Sequence, residues 1–266
     1  MPGPHGVLER EGTPAHRGYH RRMATLKVLY GFHAVGVRLR TAPDSVVEVH
    51  VDPQRRDARM RQFVQRVLDA GARLVDSDDA QLTRLAGSAR HQGVAARVQV
   101  LPQVHSLDDL LDAVQGPPLV LALDGVTDPH NLGACLRVAD ASGVHAVVAP
   151  KDHAVGINAT VAKVASGAAE TVPYLMVTNL ARALGELKER SIRVVGLAGD
   201  AELTLHAADL GGPLALVLGA EGAGLRQLTR KSCDLLVRIP MKGAVESLNV
   251  AVAAGVCLYE ALRQRR

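Results

Sequence analysis

Tryptophan is absent from this 266-residue chain, and two Phe and four Tyr make up its whole aromatic content. Proteins that read single-stranded nucleic acid by stacking need exposed aromatic platforms, so an RRM-like or OB-like reader is disfavoured. Cysteine is nearly as scarce. Cys135, Cys233 and Cys257 lie far apart with no C-x-x-C pair, which argues against a disulfide framework or a structural zinc and leaves small core filler as their reading. The 11 His residues form no H-E-x-x-H, and G-x-S-x-G and Walker motifs are missing, so no metal is expected. Apolar runs such as Leu119–Leu123 and Leu214–Leu218 are strand-sized and too short to span a bilayer. Met1–Arg22, rich in Pro, Gly, His and Arg, lacks the apolar stretch of a secretory signal, which makes cytoplasmic residence the default. Residues 1–23 read as a flexible tail, with Met23 as a candidate natural start.

Hydrophobic residues at 47% and charged residues at 22% provide for a real core, and the length suits two domains. The net charge of +4 is unevenly spread. Residues 1–100 carry 16 Lys+Arg against 10 Asp+Glu, while the remainder carries 15 against 17. A basic first half points to a polyanionic partner, and phosphates and shape are what it would read.

Residues 24–100 alternate helix-like and strand-like segments, as in a small α/β domain. Tyr30–Arg40, Asp57–Ala70 and Ala80–Ala86 are helical in pattern, and Val46–Val51, Arg73–Asp76 and Val94–Val100 are strand-like. Residues 101–117 form a linker with a short helix opened by Ser106-Leu107-Asp108-Asp109 and stopped by Gly116-Pro117-Pro118. Residues 118–266 change character. Near-continuous apolar strands (Leu119–Leu123, Ala146–Ala149, Val194–Leu197, Leu214–Leu218, Leu235–Ile239) alternate with helices, the mark of a mostly parallel sheet covered on both faces. A final helix over Ser247–Arg263 is apolar around most of its circumference.

Three segments, each after a buried strand, carry candidate chemistry. The first runs Leu123 to Arg137 and places Asn131 at a helix start. Gly133 and Arg137 lie one turn apart, so the glycine clears space beneath the arginine; without a substrate, such an arginine is ordinarily half of a surface ion pair. The second, Gly219-Ala220-Glu221-Gly222-Ala223-Gly224, has the spacing G-x-x-G-x-G, which fits neither dinucleotide nor P-loop patterns. Glu221 inside it needs a partner. The third is Ile239-Pro240-Met241-Lys242-Gly243-Ala244-Val245-Glu246-Ser247-Leu248-Asn249-Val250. Ser247 is its expected helix N-cap, and Asn249 lies in the first turn.

In this order and spacing the three segments resemble the signature motifs of the SpoU/TrmH branch of the SPOUT RNA 2′-O-methyltransferases. The resemblance runs from about Tyr30 to the C-terminus. It implies an α/β fold with a parallel sheet and a deep trefoil knot, preceded by a small L30e-like RNA-binding domain. It implies S-adenosyl-L-methionine (AdoMet) as methyl donor, contacted by Gly219, Ala220, Gly222, Ile239, Pro240, Met241, Gly243 and Leu248. Arg137 matches the catalytic arginine, and Asn131, Glu221, Ser247 and Asn249 match the other active-site positions. Tyr30 and His33, with His91-Gln92, resemble the ends of the RNA-binding domain, and Arg55, Arg56 and Arg59 supply its charge. A homodimer through the last helix is implied, with the RNA site completed across it. Ala251 stands where many members carry Ser. Within the family, the stretch Leu123–Val148, with Thr178-Asn179-Leu180-Ala181 and Arg182, looks most like enzymes that methylate a guanosine of 23S rRNA in the peptidyl-transferase P loop; a tRNA methyltransferase of the same family, or a non-catalytic RNA-binding assembly factor, is the alternative.

The family proposal makes the arginine a general base. Bringing a guanidinium from a pKa above 12 to near 7 costs about 7 kcal/mol. In the competing reading Arg137 stays cationic and stabilises the developing alkoxide and the adjacent phosphate, while Glu221, a water or bulk solvent removes the proton.

Overall fold

The computed structural model describes residues 25–101 and 106–265. The expectations for the 1–23 tail, and for Met23 as a start, lie outside the described residues.

The first unit contains β1 (Leu26–Tyr30), α1 (Phe32–Thr41), β2 (Val46–Val51), α2 (Ala58–Asp69), β3 (Arg73–Asp76), α3 (Asp79–Ala86) and β4 (Val94–Gln99). Its sheet has the order β1-β4-β2-β3. Local chemistry sets the helix starts. Asp57 accepts from the Met60 amide to open α2, and Asp78 with Gln81 closes a reciprocal capping box on α3. Met60, Phe63 and Val67, spaced three and four apart, give α2 its buried face. The sequence pattern predicts a first helix from Tyr30. Leu26–Tyr30 instead pairs antiparallel with β4, and Gly31 breaks the strand from α1 with a φ of 81°.

The second unit contains α4 (Leu107–Asp112), β5 (Leu119–Asp124), α5 (Pro129–Ala141), β6 (Ala146–Pro150), α6 (Ala159–Ala165), α7 (Ala168–Thr171), β7 (Tyr174–Val177), α8 (Leu180–Glu189), β8 (Arg193–Leu197), β9 (Leu203–Thr204), β10 (Leu214–Gly219), α9 (Gln227–Ser232), β11 (Leu235–Arg238) and α10 (Val250–Gln264). All seven strands run parallel in the order β7-β6-β5-β10-β8-β11-β9. Strand periodicity divides the core in two. Leu119, Leu121 and Leu123 of β5 and Leu214, Leu216 and Leu218 of β10 face the helices α5, α6 and α10. Val120, Ala122, Ala215 and Val217 face α4 and α8 on the other side. The helix expected within the linker is therefore core: Leu107, Leu110 and Leu111 of α4 are buried against this sheet. Among the described residues, no helix is long and apolar enough to cross a membrane.

The thiols follow from this packing. Burial pushes Cys135 and Cys257 up to about 12 and Cys233 to about 11; the nearby Glu221 carboxylate adds to the effect on Cys135. At pH 8 the native protein should therefore show no rapid reaction with a disulfide reagent, and all three thiols should react in denaturant. Rapid labelling of native Cys135 would contradict its packing in α5.

Candidate active site

The three motif segments converge at the C-terminal ends of the parallel strands, where open α/β sheets hold their ligands. A cavity of about 720 Å³ opens there, within the usual range for small-molecule sites. Its apolar wall is built from Leu197, Leu218, Ile239, Leu248 and Ala253, and Glu221, Arg238, Lys242 and Glu246 bring charge to it. Seven of the eight expected cofactor residues line it: Gly219, Ala220, Gly222, Ile239, Pro240, Met241 and Leu248. Gly243 does not; it is exposed on the loop beyond.

Backbone packing shapes the glycine loop. A Cβ on Gly219 would sit inside the Gly224–Leu225 peptide, so only glycine lets β10 end there. Gly222 turns the chain with a φ of 77°, and the Gly224 amide donates to the Ala220 carbonyl at 2.9 Å. A second tether comes from Asp124 at the end of β5, whose side chain is fully buried. It accepts from the Arg226 amide at 2.9 Å and from the Arg226 Nε at 2.6 Å. Asp124 lies in the first motif segment but has no role assigned from sequence, and Arg226 lies outside all three segments. The available signal was a carboxylate ending an otherwise apolar strand, which demands a cation when buried.

Glu221 finds its partner in a three-residue cluster that joins all three motifs. Its Oε1 accepts from Asn249 Nδ2 at 2.6 Å, from Asn131 Nδ2 at 3.3 Å and from the Val250 amide at 3.2 Å. Asn249 Nδ2 also donates to Asn131 Oδ1 at 2.8 Å. Asn249, not Ser247, caps the last helix: its Oδ1 accepts from the Ala251 and Val252 amides, and α10 begins at Val250. Ser247 lies exposed in the preceding loop and lines the cavity. With its Oδ1 capping the helix, Asn249 has its amide nitrogen directed at Glu221, so the cap and the cluster are one device.

Arg137 stands apart from these groups. It is exposed on α5, outside the lining of the cavity, and makes no ion pair or hydrogen bond among the described residues. The surface ion pair that ordinarily explains such an arginine is not there. Gly133 has a different purpose from the one expected: a Cβ there would meet Val164 Cβ at 2.6 Å and the Val161 carbonyl at 3.0 Å, so it admits α6 and not a substrate. Among the described residues, no cluster of three His, Cys, Asp or Glu could hold a metal.

In the first unit, the guanidinium groups of Arg55 and Arg59 lie 4.8 and 4.4 Å from the Phe32 ring centroid. Arg55 donates to the Gln92 carbonyl at 2.6 Å. His33, Arg56 and Gln92 are exposed near this patch in sequence, and Tyr30 is half-buried. His91 is buried, contrary to its expected RNA contact. Its Nδ1 accepts from the Gly93 amide at 3.1 Å, which leaves Nε2 as the protonated nitrogen beside Thr83 Oγ1 at 3.1 Å. It braces the 91–93 turn that presents Gln92.

Comparison with known proteins agrees with this architecture. Residues 118–259 match the SpoU rRNA Methylase family, and residues 28–104 match the family described as RNA 2′-O ribose methyltransferase substrate binding. The chain belongs to the SpoU methylase family. It is 60% identical over 243 residues to a Ralstonia nicotianae protein named 23S rRNA (guanosine-2′-O-)-methyltransferase RlmB, covering 91% of this chain and 98% of that one. A Neisseria meningitidis protein of the same name is 51% identical, covering 91% and 97%. Among solved structures, an RNA 2′-O ribose methyltransferase superposes with a TM-score of 0.72 at 27% identity, covering 90% of this chain and 88% of that one. The SpoU methyltransferase AviRb from Streptomyces viridochromogenes, in complex with AdoMet, gives 0.70 at 26%, covering 90% of each chain.

Proposed function

We propose that this protein transfers the methyl group of AdoMet to the ribose 2′-oxygen of a guanosine in the peptidyl-transferase P loop of 23S rRNA, in the cytoplasm. The observation that carries the reading is the Asn131–Glu221–Asn249 cluster at the 720 Å³ cavity, which binds the three motif segments into one site. The cavity fits the donor chemically. Its leucine and isoleucine wall suits an adenine ring, its glycine loop brings backbone close to a ligand, and Lys242 and Glu246 suit the two charges of an amino-acid moiety. When bound, AdoMet supplies a methyl group on a sulfonium, open to in-line attack by oxygen.

The chain's residues do the remaining work. Glu221 spends Oε1 on three donors and so fixes both amides; its second oxygen, unbonded among the described residues, is placed to take a proton, directly or through water. Arg137 stays cationic and stabilises the alkoxide that develops on the attacking oxygen. Because Arg137 lies outside its own chain's cavity, we assign it to the site of a second copy. Val252 and Tyr259, exposed on α10, which packs against α5, offer the apolar surface for that homodimer. The division into an L30e-like substrate-binding domain at 24–100, a linker at 101–117 and a catalytic domain at 118–266 belongs to the same proposal. So does the trefoil knot, supported by the way the Gly219–Gly224 loop and the Ile239–Asn249 segment enclose one cavity.

Labelled methyl transfer to unmodified 23S rRNA, followed by mapping, tests the reading. One 2′-O-methylguanosine in the P loop is expected; label confined to tRNA, or none in either RNA, would overturn it. Substituting both Arg55 and Arg59 with Ala should weaken 23S rRNA binding and lower the slope of log K against log salt by roughly 2, because each contributes a phosphate contact. An unchanged slope would remove the Phe32 patch from the RNA surface.

A further inference from the structure

The seam between the two units is built around one carboxylate. Glu170, on α7, accepts from Lys27 Nζ at 2.7 Å and from the guanidinium of Arg38. Lys27 belongs to β1 and Arg38 to α1, so both cations come from the first unit. Arg38 is 1% exposed; its Nη1 reaches Ser45 Oγ at 3.2 Å and the Gln99 carbonyl at 3.4 Å, while its buried Nε has no partner among the described residues. A cation so deeply buried keeps a compensating charge only while Glu170 is in place. Steric fit adds to the charge pairing. Gly167 precedes α7 with a φ of 98°, and a Cβ there would meet Val37 Cγ2 of α1 at 2.7 Å.

Behind the seam lies the catalytic helix. Thr171, next to Glu170, donates to Asp140 of α5, the helix that carries Asn131 and Arg137. The first unit is thus linked in a continuous chain of contacts, α1 to α7 to α5, to two of the site residues.

We infer that Glu170 is a positioning residue for the RNA substrate: through Lys27 and Arg38 it sets where the Arg55–Arg59 surface stands relative to α5, so that an RNA held by the first unit presents its ribose at the site. This rests on the function proposed above. It differs from a merely structural role, which would alter the AdoMet site as well.

The test compares wild type with Glu170→Gln, which keeps the shape and removes the charge, and with Lys27→Met, which leaves the buried Arg38 pair intact and so guards against misfolding. Each is assayed with a long 23S rRNA fragment for KM and kcat, and by calorimetry for AdoMet affinity. A pair of fluorophores, one on each unit, reports the distance between them without any turnover. The expected result is a KM for RNA raised about tenfold or more in Glu170→Gln and severalfold in Lys27→Met, with kcat at saturating RNA and AdoMet affinity within twofold of wild type. The distance distribution should broaden, and Glu170→Asp should partly restore KM. An unchanged KM and distance in both variants would overturn the inference, as would parallel losses of AdoMet affinity and kcat. If wild type itself methylates no RNA, the proposed function fails, and the distance readout still decides the positioning role.

Discussion

Gly219→Ala should raise the AdoMet dissociation constant at least about 100-fold, equivalent to roughly 2.7 kcal/mol. The added carbon has no room, because it coincides with the Gly224–Leu225 peptide and the obstacle is backbone. The loop must unfold from Ala220 to Leu225, breaking the Ala220–Gly224 bridge and shifting Glu221 away from Asn249. Overpacking of this kind costs about 1–3 kcal/mol, and here it falls on a loop that can yield while the sheet behind it holds. Circular dichroism should therefore remain that of a folded protein while calorimetry shows little AdoMet binding. Wild-type affinity in this variant would mean that the glycine loop does not form the cofactor site.

Arg137→Ala should lower kcat by about 10²–10³-fold, the usual loss when one donor to a developing oxyanion is removed. AdoMet affinity should not change, since Arg137 does not line the cavity and is exposed on α5. Arg137→Lys distinguishes the two chemical roles. A cationic stabiliser survives in part as lysine, with substantial activity at pH 7 and no new optimum near a lysine pKa; a general base would shift that optimum. A mixing experiment tests where the arginine acts. Arg137→Ala and Glu221→Ala, each inactive alone, should recover about a quarter of wild-type activity when co-assembled, because half the dimers are mixed and one of their two sites is intact. No recovery would place Arg137 in its own chain's site and remove the main support for a shared one.

How far the residues alone led depended on the range of the interactions involved. The strands of the parallel sheet were legible because runs such as Leu119–Leu123 are apolar on both faces, a pattern that does not depend on knowing the partner. Tyr174–Val177, half-buried at the sheet edge, gave no such signal and was missed. The cavity lining was legible through the motif glycines and Ile239-Pro240-Met241, yet Leu197 and Ala253 reach it only by tertiary packing. Ser247 had the residue type of a cap, but Glu221, 28 residues upstream, holds Asn249 in the capping place. Gly133 pointed to an open space that α6 fills. His91 had a sequence context suggesting RNA, yet it is buried and accepts from the Gly93 amide. For Asn249 and Gly133 the deciding contact was distant in sequence, whereas His91 is held by its near neighbours Gly93 and Thr83.

The central pairing of the large sheet joins Leu119 to Leu214 and continues through Asp124 and Gly219. Every residue of β5 is buried, and half its hydrogen-bonding edge is supplied by a strand made much later in the chain. A product truncated ahead of Leu214 would carry β5 and β6 with an apolar, unpaired flank, the kind of edge that templates the addition of other chains. A chain that stops short of Leu214 is therefore expected to aggregate and not to fold as a smaller domain.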